Sequence, residues 1–81
     1  MVGKDAISKE EEVLRTLLSD LRGAANLRQI DLAERLGKPQ SFVSKYESGE
    51  RRLDLIELRQ ICRVLEISLS EFVKRFEKEI E

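Results

Sequence analysis

An all-α fold, with five helices packed as one domain, is what this 81-residue sequence predicts. Three observations predict it. Apolar residues recur at three- and four-residue steps in five successive segments, and no stretch makes a convincing strand. Helix-start signals stand at Ser8-Lys9-Glu10-Glu11, at Asp54-x-x-Glu57 and at Ser68-Leu69-Ser70-Glu71. One proline and four glycines leave few places for the chain to break.

Residues 1–7 carry no periodic signal and are expected to form a flexible N-terminal arm; residues 8–81 form the single domain. From the Ser8 box, Val13, Leu14, Leu17, Leu18, Leu21, Ala24 and Ala25 mark one long first helix. Asn26 tolerates the left-handed conformation and can end it. The second helix opens near Arg28-Gln29 and places Leu32, Ala33 and Leu36 on one face. Gly37 can take the positive φ that ends a helix without a Cβ penalty. Pro39, with no N–H and a preset φ, suits the first turn of a third helix.

That third helix divides into two faces. Phe42, Val43 and Tyr46 are apolar and can anchor it. Gln40, Ser41, Ser44, Lys45 and Ser48 share the other face, which holds amide, hydroxyl and ammonium groups and no carboxylate. Such a helix is shaped to enter the major groove of DNA. Gly49 ends it, and Glu50-Arg51-Arg52 follow as a basic loop suited to phosphate. The fourth helix, capped at Asp54, has the stripe Leu55, Leu58, Ile61, Cys62 and Leu65. The fifth, capped at Ser68, carries Leu69, Phe72, Val73, Phe76 and Ile80 on one side.

Charge sharpens this picture. The whole chain has net charge −1 and a pI of about 5.6. Residues 1–34 hold five basic against seven acidic residues, and residues 53–81 repeat that balance. Residues 35–52 hold five basic against two acidic, a net +3. Basic charge therefore collects on the presumed DNA-facing segment, and acidic flanks disfavour nonspecific binding. The lone Cys62 has no internal partner; with no histidine a zinc site is disfavoured and a Cys–His catalytic pair is impossible. Cys62 reads as a small core residue. No phosphate-cradling glycine loop is present, and the carboxylates follow solvated helical faces, so no enzyme, cofactor or metal is predicted. No small-molecule ligand is predicted either, since the chain has no room for a separate sensor domain. No window approaches the roughly 20 apolar residues of a membrane span, and a polar start argues against a signal peptide. The expected location is cytoplasmic.

The spacing Gln29-x-x-Leu32-Ala33-x-x-Leu36-Gly37, then Gln40-Ser41-x-Val43-Ser44-x-x-Glu47-x-Gly49, resembles the helix-turn-helix of the Cro/phage-repressor (XRE) family, from about Leu18 to Phe72. The resemblance implies a lambda-repressor-like fold with the third helix, about 40–48, in the major groove of a double-stranded operator. Gln40, Ser41, Ser44 and Lys45 are then the base-contacting candidates. Gln29, Lys38, Ser48, Arg51 and Arg52 are the phosphate-contacting ones. The resemblance further implies a largely buried ion pair between Arg22 and Glu47, and a homodimer on a palindromic site. The fifth helix offers Phe72, Phe76 and Ile80 for the dimer interface. The sequence departs from the family at Arg28, where an N-capping Ser or Thr is usual, and at Ile30, usually polar. It departs also at Lys38, usually apolar, at Pro39, usually a Ser or Thr cap, and at Glu66, often Gly. An antitoxin or a restriction–modification controller is a variant of the same reading. A competing class is a helical interaction module that kept the fold and lost DNA binding, which the acidic pI favours and the basic middle opposes.

Overall fold

Five α-helices follow one another: α1 (Val2–Ala24), α2 (Gln29–Leu36), α3 (Gln40–Ser48), α4 (Leu55–Val64) and α5 (Leu69–Ile80). The computed structural model describes the backbone of residues 2–81 and the side chains of residues 9–81. Among the described residues there is no strand, and no helix is long and apolar enough to cross a membrane.

Four helix ends close by one device. Asn26, Gly37, Gly49 and Glu66 all have positive φ. The residue after each sends its N–H back five residues: Leu27 to Arg22, Lys38 to Ala33, Glu50 to Lys45 and Ile67 to Cys62, at 2.9–3.2 Å. These closures satisfy carbonyls that the helices leave open. Glu66 is the strained member, at φ 60 without a glycine's freedom. Glu66→Gly is therefore expected to stabilise the fold by about 1 kcal/mol. Thermal unfolding should show the midpoint rising by about 4–8 °C.

Helix starts are more varied. Asp54 and Glu57 form the full reciprocal box, Glu57 N–H to Asp54 Oδ1 at 2.7 Å and Asp54 N–H to Glu57 Oε1 at 3.0 Å. Ser68 Oγ accepts from Glu71 N–H at 3.0 Å. At α2, Arg28 closes the helix entry without a Ser or Thr cap. Its backbone N–H donates to Asp31 Oδ2, and its guanidinium holds the same carboxylate at 2.9 and 3.0 Å. Pro39 is the N-cap residue of α3, one place before the first helical turn, with φ −69. The α1 backbone is helical from Val2, so the Ser8 box lies within the helix and does not start it. No proline stands before Asn26, and among the described residues none before it has a positive φ. The side chains of the arm expected over residues 1–7 lie outside the described residues.

The helices pack α3 on α2 and α1, and α5 on α1 and α4, with α2 against α4. The core is Leu18, Leu32, Ala33, Phe42, Val43, Tyr46, Ile61, Cys62 and Phe72. Tyr46 is the largest fully buried side chain. Its hydroxyl has no hydrogen-bond partner among the described residues, a polar group carried at a cost of about 1–3 kcal/mol. Two apolar stripes are covered less than their periodicity predicts. Leu55, placed in the α4 stripe, is 63% exposed, and Ala24 and Ala25 are exposed at the end of α1. Each stands at a helix end, beyond the reach of the helices packed on the middle turns.

Candidate nucleic-acid interface

Burial of Phe42, Val43 and Tyr46 fixes how α3 is rotated. It leaves Gln40, Ser41, Lys45 and Ser48 exposed and Ser44 half-buried on the outer face. The one carboxylate on α3, Glu47, is turned inward to Arg22. The outer face therefore offers donors and a cation without a like charge to repel phosphate.

A chain of hydrogen bonds runs from α1 to the start of α3. Arg22 holds Glu47 bidentately, Nε to Oε2 at 2.7 Å and NH2 to Oε1 at 3.0 Å. Its remaining NH1 donates to the Leu27 carbonyl at 2.8 Å. Glu47 Oε1 also accepts from Gln29 Nε2 at 2.9 Å, and Gln29 Oε1 accepts from Gln40 Nε2 at 3.4 Å. The ion pair spans 25 residues and is mostly buried, at 18% and 9% side-chain exposure. It staples α3 to α1 while Gln29 steadies Gln40. One N–H of the Gln29 amide stays uncommitted, so bracing and a phosphate contact are compatible.

Both arginines of the basic loop, expected to contact phosphate, already have carboxylate partners. Arg51 pairs bidentately with Glu57, at 3.0 and 2.7 Å. Arg52 pairs with Glu11 on α1 at 2.7 Å. Both side chains remain exposed at the surface, so a phosphate could exchange for either carboxylate. Phe42 adds a feature the sequence reading missed. Its ring carries the Arg51 guanidinium 4.7 Å from its centroid and the Lys38 ammonium at 5.4 Å. Such contacts hold cations in place on a ring face. The four-residue step from Lys38 to Phe42 was the available signal, and it is weak. Ser48 Oγ donates to the Lys45 carbonyl at 3.1 Å and lies 3.3 Å from Glu50, so its hydroxyl already has partners within the chain.

Phe72, expected at a dimer interface, is 1% exposed and belongs to the core. The reason is its position one turn into α5, where α1 and α4 both cover the helix. Phe76 and Ile80 are half-buried and lie outside the core cluster.

Two carboxylates make the fold sensitive to acid. The Arg51 guanidinium, and then the Asp54 N–H, hold the Glu57 carboxyl down at about 2. The Arg28 side chain and N–H hold Asp31 at about 2 in the same way. Both folded values lie below the ordinary ones, so the charged forms favour the folded state above about pH 4–4.5, and that contribution is lost as pH falls toward 2. Thermal midpoints followed by circular dichroism should be level above about pH 5 and decline below it. Glu57→Gln should remove part of the decline.

The geometry has parallels among known proteins. The Helix-turn-helix family model matches residues 18–72. The fold superposes on an XRE-family like protein from Pseudomonas syringae pv. tomato str. DC3000 with a TM-score of 0.90, at 40% identity over 96% of this chain and 95% of that one. The restriction-modification controller protein C.Esp1396I gives a TM-score of 0.80 at 25% identity, covering 88% and 92% of the two chains. The clp gene regulator ClgR from Corynebacterium glutamicum shares the fold alone, with a TM-score of 0.77 at 20% identity over 88% and 76%. No curated protein matches the sequence significantly.

Proposed function

This chain belongs to the helix-turn-helix family of XRE-type DNA-binding regulators, and from that premise we propose that it reads one palindromic operator as a homodimer. α3 enters the major groove of each half-site. The observation that carries this reading is the outer face of α3: Gln40, Ser41 and Lys45 stand exposed beside half-buried Ser44, with Glu47 withdrawn to Arg22. Gln40 suits adenine, to which an amide can bond bidentately, and Lys45 suits the acceptors of guanine. Gln29, Lys38, Ser48, Arg51 and Arg52 contact phosphates, the two loop arginines by exchanging their carboxylate partners. Among the phosphate-contacting residues, Ser48 contributes least, since its hydroxyl already has a carbonyl to bond.

Selection of bound duplexes from a random pool tests the reading, followed by titration of the winner at two salt concentrations. A specific sequence should emerge, with affinity falling steeply as salt rises, because each phosphate contact releases counterions. Recovery of no sequence, or affinity indifferent to salt, refutes it. Gln40→Ala and Lys45→Ala should each cost about 1–3 kcal/mol on the selected site and relax preference at one base pair. An equal loss on every sequence would reassign that side chain to a phosphate.

The dimer supplies what one helix lacks, since a single recognition helix reads too few base pairs to pick out a genomic site. Val73, 43% exposed, with half-buried Phe76 and Ile80, gives α5 an apolar surface that the core does not use. Two-fold pairing there would set the recognition helices about 34–36 Å apart.

A further inference from the structure

Under the loop that joins α3 to α4 lies an open cavity of about 300 Å³. α1 forms one wall, and Gly49, Arg51, Arg52 and Leu53 form part of the other. Three of the lining residues are arginines: Arg15, Arg51 and Arg52. The single lining carboxylate, Glu11, is taken by Arg52.

Arg15 differs from its neighbours. It is half-buried, yet it makes no ion pair among the described residues. Its guanidinium lies over Gly49, so close that a Cβ there would stand 3.1 Å from Cζ and NH1. Gly49 thus serves twice: it takes φ 90, and it leaves room for the guanidinium. A charge drawn part-way out of water without a counter-charge is unfavourable. An oxyanion would correct this, since the planar guanidinium fork matches phosphate with two parallel hydrogen bonds.

We propose that this cavity is a phosphate-binding site anchored by Arg15, with Arg51 and Arg52 closing on the ligand as they leave their carboxylates. The loop that roofs it follows directly on the recognition helix, and Arg51 already leans over Phe42 of that helix. A backbone phosphate of bound DNA is the ligand this placement favours, so the assignment rests on the DNA-binding reading. Free phosphate shares the chemistry and is separated from it by the test.

Arg15→Gln removes the charge and keeps much of the stem; its thermal midpoint reports whether it folds. On the selected duplex it should weaken binding about three- to tenfold at physiological salt and reduce the log–log salt slope by about 1. Arg15→Lys should recover the slope. In parallel, the native chain is titrated with inorganic phosphate while the Arg15 Nε–Hε resonance is followed by NMR. A lowered slope in Arg15→Gln supports the site with DNA as its ligand. An unchanged slope with a saturable phosphate shift at Arg15 supports the site with free phosphate as its ligand. An unchanged slope and an unmoved resonance overturn it. Should the native chain bind no duplex, the DNA reading fails by itself, and the phosphate titration alone decides the cavity.

Discussion

Replacing Arg22 with alanine is expected to cost about 3–5 kcal/mol of folding stability, the usual consequence of stranding the partner of a buried pair. A domain of this size has only roughly 4–12 kcal/mol in total, so the loss takes at least about a quarter of the whole margin. The large effect follows from where Glu47 is left. Its carboxylate is 9% exposed and would retain only the Gln29 N–H. Glu47→Gln should cost less, because Arg22 keeps the Leu27 carbonyl and can still bond an amide oxygen. In a double-mutant cycle read by urea unfolding, removing both partners should hurt less than the sum of the single losses. Additive losses would mean that the two side chains act independently. Because Gln29 bonds that carboxylate and Gln40 in turn bonds Gln29, surviving Arg22→Ala protein should also bind its operator less selectively.

Phe76→Asp is expected to yield a folded monomer that binds the operator roughly 10²–10⁴-fold more weakly, the range by which linking two sites raises avidity. One substitution acts twice across a two-fold axis, so two apolar contacts are lost and two carboxylates face each other. The fold should survive, since Phe76 lies outside the core cluster. Phe72→Asp would be uninformative, because it would destroy the core itself. Sedimentation of both chains at high micromolar concentration without DNA decides the matter. A native chain that stays monomeric refutes the dimer. A folded Phe76→Asp chain that still dimerises moves the interface elsewhere. Leu55 and Ile56, 63% and 64% exposed at the start of α4, are then the surface to alter next.

Much of the helix-turn-helix could be read directly from residue order. Gly37 and Gly49 end helices, Asp54 and Ser68 begin them, and Phe42, Val43 and Tyr46 pick the buried face of α3. These are interactions within a turn or two of chain, so local spacing contains them. The Arg22–Glu47 pair crosses 25 residues and was accessible only through the family resemblance. Spacing alone favours a solvated arginine there.

Tertiary structure decided the rest. Periodicity marks which face of a helix is apolar, but not how far along that face a neighbour reaches. Phe72 is therefore buried where an interface was expected, and Leu55 is exposed where a core was expected. The same holds for charge. Arg51 and Arg52 are adjacent in sequence, yet one meets Glu57 on α4 and the other Glu11 on α1. Arg15 comes to rest over Gly49, from a helix two elements away. A hydrogen-bonded turn is determined by residues a few places apart. Which charges meet depends on how whole helices cross, and that is set by the packing of a core drawn from all five.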